Sequence, residues 1–259
     1  LFGADSSFER PVWLAVNTEG RSSHGGSLRI IDDLGVRASS GIIAFGTDMK
    51  ASLGNRGRVD IELTVEGVAC HSSQPWLGRN PIESAADIVG ALRALPLRGE
   101  HPSLGKPTAT PYQFACRPVA PHTVPEQVRI VVDRRLLPGD DPDEAVAEMA
   151  RHLERWSSEV KLRPDVSMLP AEVDVDAPVV EALLDALRAE GHPAETFWSR
   201  NTFDAGYACS KGIPTPMFGP GKRRFSGTGL IGDDMIPIEE CVAAARVLTR
   251  ALKTLCGHA

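Results

Sequence analysis

No stretch of this chain is apolar for the ~18 residues that a membrane-spanning helix needs, and its N-terminus lacks a charged-then-apolar signal profile. No run of Lys and Arg is interleaved with aromatic residues. RPVAP and KRR are too short for that, and a net charge of −6 argues against a nucleic-acid footprint. Nor is there a CxxC spacing. The five cysteines, Cys70, Cys116, Cys209, Cys241 and Cys256, are scattered and odd in number. They fit reduced thiols serving as small buried hydrophobes in a cytosolic protein better than a disulfide framework. Internal repeats and low-complexity segments are also missing. These absences leave a globular, cytoplasmic chain without membrane or nucleic-acid partners as the expectation. What is present is apolar content of 42% over 259 residues, enough for one large or two ordinary domains. The chain starts at Leu1 rather than at a methionine, and an upstream portion is expected to be absent.

The most definite pattern runs from Asn55 to Ala94. Val59, Ile61, Leu63 and Val65 alternate with Asp60, Glu62, Thr64 and Glu66, the period of a strand buried on one face. Asn80 offers a side-chain cap, Pro81 suits the first helical position, and Glu83 sits where a capping-box acid belongs. Ile82, Ala85, Ala86, Val89, Leu92 and Leu95 then predict an apolar helical stripe. Between strand and helix lies the polar turn HSSQPWLG, with His71. Taken by its own spacing, a lone loop histidine is more often solvated than catalytic.

Before this stretch, VWLAV at 12–16 and GIIAF at 41–45 predict short buried strands, with a helix through Leu28, Ile31 and Leu34 between them. After it, TATPYQFACRP and EQVRIVVDRRLLP predict longer, half-polar strands. DPDE opens a helix carrying Val146, Met149, Leu153 and Trp156, and EVKLRP predicts a fourth strand. The order from Arg58 to Pro164 is β, α, β, β, α, β, that of a ferredoxin-like sandwich. Further on, Asp176 is expected to cap a helix bearing Val179, Val180, Leu183, Leu184 and Leu187, which Gly191 stops. FWSRNTFDAGYACSKGIPTPMFGPG predicts a loop, a short helix and a buried strand ending in a Gly-Pro-Gly turn. A last helix runs from Pro237 with Val242, Ala245, Leu248, Leu252 and Leu255 on one face. The resulting fold class is α/β: a discontinuous catalytic-type domain over 1–54 and 166–259, interrupted over 55–165 by an inserted α+β domain.

Four stretches, GRVDIELTVEGVACHSSQPWLGRNPIESA, HTVPEQVRIVVDRRLLPG, GIPTPMFGPG and DDMIPIEECVAAARVL, give the chain a resemblance to a known family. It resembles the two-zinc peptidases and amidohydrolases that include acetylornithine deacetylase, succinyl-diaminopimelate desuccinylase, aminoacylase and carboxypeptidase G. The resemblance implies a zinc-peptidase-like α/β catalytic domain, N-terminally incomplete here, with a ferredoxin-like lid that pairs two subunits into a homodimer. It implies a small N-acyl amino acid or peptide as substrate. His71 matches the lid histidine that reaches the partner's active site and steadies the tetrahedral oxyanion, where charge develops only in the transition state. Arg135 matches the lid arginine that binds a substrate carboxylate, a task suited to a planar bidentate donor. His122 stands where many members have asparagine. Gly219 and Gly221 match a turn that exposes backbone donors near the substrate, and a plain tight turn explains them equally well.

The metal centre departs from that pattern. Family chemistry uses two zinc ions, bridging and terminal carboxylates and histidines, and a glutamate base. No H-x-D element precedes Val12. The family's Asp-Glu-Glu motif retains one glutamate, Glu19, which is a metal ligand in one register and the general base in the other. Further ligand positions fall on Phe45 and Leu230, which offer no lone pair. A four-ligand zinc site is worth about 10–16 kcal/mol, so each missing ligand costs on the order of 3 kcal/mol. His24, Asp48, Asp204, Asp233 and Asp234 are alternative chelators, with solvated charge the plainer reading of each. Three functions remain open at this point. One is a metal-poor, silent or repurposed relative. Another is an active amide hydrolase whose ligands come from upstream or from unusual residues. The last is a binding and dimerisation module.

Overall fold

The computed structural model describes residues 8–16, 23–221 and 236–257. It divides into two compact units, Leu1–Asn55 with Pro170–Ala259, and Arg56–Leu169. The first unit begins with an extended segment that includes 12–16. No strand forms there among the described residues, and Trp13, Leu14 and Val16 are exposed. This corrects the expected buried strand. An apolar run becomes a strand only where a neighbour completes its ladder, and the backbone bond found here is Arg10 N–H to the Cys256 carbonyl, at 2.9 Å. A short helix α1, Gly25–Leu28, continues as a π-helical turn over Arg29–Asp33, which buries Ile31. The expected strand at 41–45 is present as β1, Ile43–Ala44. Its flanking residues extend the contact, because Gly41, Ile43 and Phe45 donate in turn to Pro214, Pro216 and Phe218. β2, Ala51–Asn55, is buried throughout. Its Gly54 and polar Ser52 and Asn55 hide it from periodicity. A Cβ at Gly54 would fall on the Ala171 carbonyl and the Trp198 ring, so only glycine lets the strands close up.

The second unit is built as the alternation predicts. β3, Gly57–Glu66, leads through β4, Cys70–His71, to α2, Pro81–Arg93. β5, Thr108–Arg117, β6, Thr123–Val124, and β7, Gln127–Leu136, follow, then α3, Pro142–His152, and β8, Val160–Met168. The main sheet has the order β5-β7-β3-β8, all neighbours antiparallel, as in a ferredoxin-like sandwich. β5 lies on the edge, which tolerates Pro111. Val59, Ile61, Leu63 and Val65 of β3 and Val128, Ile130 and Val132 of β7 form the apolar face. Ala85, Ile88 and Leu92 of α2 with Leu95 just past its end meet them, as do Ala145 and Met149 of α3 with Leu153 and Trp156 beyond it. Each fully buried Leu or Ile contributes about 1.5–3 kcal/mol.

Both helix starts form as read: Asn80 Oδ1 accepts from Ile82 N–H at 3.1 Å, and Asp141 Oδ1 accepts from Asp143 and Glu144 at 2.8 and 3.0 Å. Glu83 reaches the Asn80 side-chain amide, not its backbone. The buried stripe of α2 is rotated from the expected one. Ile88 is buried in full, whereas Ile82 and Ala86 face outward.

The chain then re-enters the first unit. β9, Ala171–Glu172, pairs antiparallel with β2. α4, Pro178–Ala189, follows, capped by Ala177 without a side-chain bond. Asp176 is therefore not the cap; the turn before the helix is closed by Asp174, whose carboxylate accepts from Asp176 N–H and whose carbonyl accepts from Ala177 N–H. Gly191 ends α4 at φ +78°, with Gly191 and His192 donating to Arg188 and Leu187, a Schellman closure. β10, Thr196–Ser199, pairs parallel with β2 where a loop was expected. α5, Ala205–Ser210, precedes β11, Met217–Phe218, which pairs parallel with β1. The Ser52 hydroxyl accepts from Met217 N–H at 3.0 Å, tying the β10-β2-β9 sheet to the β1-β11 pair.

α6, Ile238–Cys256, closes the unit by packing Ala244, Val247 and Ala251 on Ala182, Leu183, Ala186 and Leu187. The face expected to be its core side is a second apolar face: Ala245, Leu248, Leu252 and Leu255 line a cavity of about 580 Å³ with Phe8, Val12, Leu14 and Ile42. Among the described residues no helix is long and apolar enough to cross a membrane, and none of the five cysteines is in a disulfide.

Candidate functional site

In the Arg56–Leu169 unit, His71 ends β4, which pairs with β6 so that His71 stands opposite Thr123. The Ser72 N–H donates to the His122 carbonyl at 2.8 Å, and the Gln74 N–H closes a turn on the His71 carbonyl at 2.9 Å. This bonding brings the two histidines together: their exposed rings stack with centroids 6.0 Å apart. His122 holds a left-handed φ of 54°, uncommon outside glycine and asparagine. Ser73 meets the His71 ring, with Oγ 2.8 Å and N–H 3.2 Å from Nδ1.

Arg135 lies on the sheet face turned away from the helices. Its Nε and Nη2 donate to the two Asp133 carboxylate oxygens at 2.7 and 2.8 Å, so the planar fork already grips a carboxylate of its own strand. Asp60 stands in register with Asp133, and Arg58 approaches Asp60 at 3.1 Å. Burial pushes the Asp60 carboxyl above its ordinary value; Arg58 opposes that shift and Asp133 adds to it.

In the other unit, the Gly-Pro-Gly turn is held from within. Gly219 N–H donates to the Thr47 hydroxyl at 3.0 Å, and Gly221 N–H to the Glu240 carboxylate at 2.9 Å. Both backbone donors offered by the motif are thus engaged inside the fold. Thr47 and Met49 in turn donate to the Gly219 carbonyl, and Asp48 to that of Gly221. A Cβ at Gly219 would fall on the Phe45 carbonyl, and Gly221 has φ +78°, so close approach and turn geometry account for both glycines. Thr47 and Glu240 were not singled out from sequence, since a buried hydroxyl and a first-turn helical acid carry no motif of their own.

Phe45 packs edge-on against Phe203, with centroids 4.7 Å apart. His24 is buried with Nδ1 3.6 Å from Asp204 Oδ1, and its ring lies 5.5 Å from that of Tyr207. Tyr207 and Lys211 both donate to Asp32, at 2.5 and 3.1 Å. Those bonds hold the Asp32 carboxyl below its ordinary value. Glu19, Leu230, Asp233 and Asp234 lie outside the described residues.

Residues 53–160 match the family model described as the peptidase dimerisation domain of M20 proteins. The chain is 30% identical over 213 residues to the uncharacterised protein YgeY of Escherichia coli, covering 74% of this chain and 52% of that one. It is 25% identical over 261 residues to acetylornithine deacetylase of Myxococcus xanthus, covering 95% and 66%. A solved M20 metallo-carboxypeptidase from Sulfolobus solfataricus has the same fold, with a TM-score of 0.71 over 88% of this chain and 66% of that one at 18% identity. The chain carries an M20 peptidase dimerisation domain over 53–160 and shares the fold of M20 peptidases.

The chain spans about half the length of YgeY. Its named relatives include amide-bond hydrolases and peptidases, and a metal is the cofactor that its metallopeptidase relatives imply. The residues described do not fit such a centre at the position the family pattern gives to Phe45. An aromatic ring seated against another ring offers no lone pair to a metal. Among the described residues no three His, Cys, Asp or Glu side chains converge on a common point. His24 and Asp204 are the candidate chelators that the fold brings together.

Proposed function

We propose that this chain is a self-associating M20-type recognition protein that does not itself hydrolyse its ligand. The observation that carries this reading is Phe45 packed on Phe203 where the family pattern calls for a ligand carboxylate. The 55–165 lid retains the features of substrate recognition. His71 and His122 present adjacent imidazoles, and Arg135 reaches a substrate carboxylate only by sharing its guanidinium with Asp133. The ligand is a small N-acyl amino acid or peptide, and two copies pair through the lid. The unpaired cysteines suit a reducing cytoplasmic setting. Gly219 and Gly221 shape the turn beside Phe45, and Glu19 adds at most one carboxylate.

A hydrolysis panel tests this. Purified protein supplied with zinc or cobalt and a set of N-acyl amino acids and dipeptides is expected to release product at the blank rate. Turnover above the blank that rises with added metal and disappears with a chelator would overturn it. The second reading is an active hydrolase, favoured by the approach of His24 to Asp204. In that case His24→Ala abolishes the turnover.

A further inference from the structure

We infer that Ser73 is a positioning residue that fixes the proton of His71 on Nε2. The geometry is local and over-determined. The Gln74 to His71 turn places Ser73 two residues after the ring, where its backbone N–H lies 3.2 Å from Nδ1 and its Oγ 2.8 Å from the same atom. A backbone N–H can only donate. A neutral imidazole has one donor and one acceptor nitrogen, so Nδ1 must be the acceptor and the proton must sit on Nε2. The opposite tautomer would point Nδ1–H at the Ser73 N–H. The serine hydroxyl gives a second donor to the same lone pair and restrains rotation of the ring. The pairing of Cys70 with Val124 and of His71 with Thr123 fixes the backbone from which the ring projects.

The consequence rests on the lid recognition proposed above. A His71 held in this form offers a hydrogen bond from Nε2 and takes none there. The ligand group it meets is therefore an acceptor oxygen, a carbonyl or carboxylate, and not an amine or hydroxyl proton. Neither proton transfer nor bond cleavage is assigned to it. Ser73 acts wholly through His71.

Nitrogen-15 NMR of the labelled protein tests the assignment without requiring activity. The expected spectrum has a pyridine-type Nδ1 and a pyrrole-type Nε2 for His71, with a scalar coupling across the hydrogen bond from the Ser73 amide nitrogen to Nδ1. Ser73→Ala keeps the backbone donor, so the coupling persists, while the ring loses one restraint and its signals broaden. Ser73→Pro removes both donors; the coupling is lost and the second tautomer becomes populated. Neutral imidazole in water already favours the Nε2–H form, so the coupling in the unmodified protein is the deciding signal and does not depend on either variant folding. Its absence overturns the inference, as does a pyrrole-type Nδ1. Hydrolysis of acyl amino acids would overturn the proposed function and leave this spectrum unchanged. Loss of the coupling would remove the role of Ser73 and leave that function standing.

Discussion

Asp60 and Asp133 face each other across β3 and β7, with Arg58 and Arg135 as the next cross-strand pair. Like charges opposite one another destabilise a sheet unless cations intervene, and here the pairing of Arg58 with Asp60 and of Arg135 with Asp133 supplies them. Burial still leaves the Asp60 carboxyl raised. A raised folded-state value means that the stability linked to this group is fully present below the ordinary carboxylate range and is lost as pH rises through the raised value. Asp60→Asn mimics the protonated form. It is therefore expected to raise the thermal midpoint at pH 7 and to lose that advantage as pH falls to about 3.5, below the ordinary aspartate value. A variant less stable than the parent at pH 7 would show that Arg58 outweighs desolvation. At this scale the sequence singles out a residue that carries a motif, as His71 does. It was silent where function depends on who already holds a donor. The N–H groups of Gly219 and Gly221 look available in a string of letters, and only the fold reveals Thr47 and Glu240 on them.

Helices and strands were legible wherever one face alone is buried. β3 alternates because its outer face stays polar, and α3 begins at Asp141 because a capping aspartate and a proline coincide. The stripe of α2 was read with two rows merged: Ala85, Leu92 and Leu95 are buried as expected, but Ile82, Ala86 and Val89 form an apolar row beside the true one, and period alone cannot choose between adjacent rows. Ile88→Ala is expected to cost about 2–5 kcal/mol in denaturant unfolding, as for a fully buried core truncation. Ile82→Ala should stay within about 0.5 kcal/mol, as for an exposed position. Equal effects would contradict the placement of α2. In the other unit the same ambiguity has a different outcome. α6 carries apolar residues on two faces; one packs on α4, and the other lines the cavity with Phe8 and Leu14. β2 and β10 escaped notice because short buried strands with glycine and polar residues lack a period of their own.

At the scale of the molecule, the two units were legible for unequal reasons. The Arg56–Leu169 unit has a complete sheet, two covering helices and one apolar core, so each local preference agrees with the global arrangement. The remaining unit distributes its strands into small parallel and antiparallel pieces held by single polar links such as Ser52 to Met217, and its segments around Glu19 and Leu230 lie outside the described residues. The M20 resemblance is read from the lid, and the proposed departure from family chemistry rests on Phe45. Metal content tests that departure most directly. Protein equilibrated with excess zinc and then dialysed without chelator is predicted to retain well below one ion per chain, because an aromatic pair without a lone pair stands in place of a ligand. Retention of one or two tightly bound ions per chain would contradict the account.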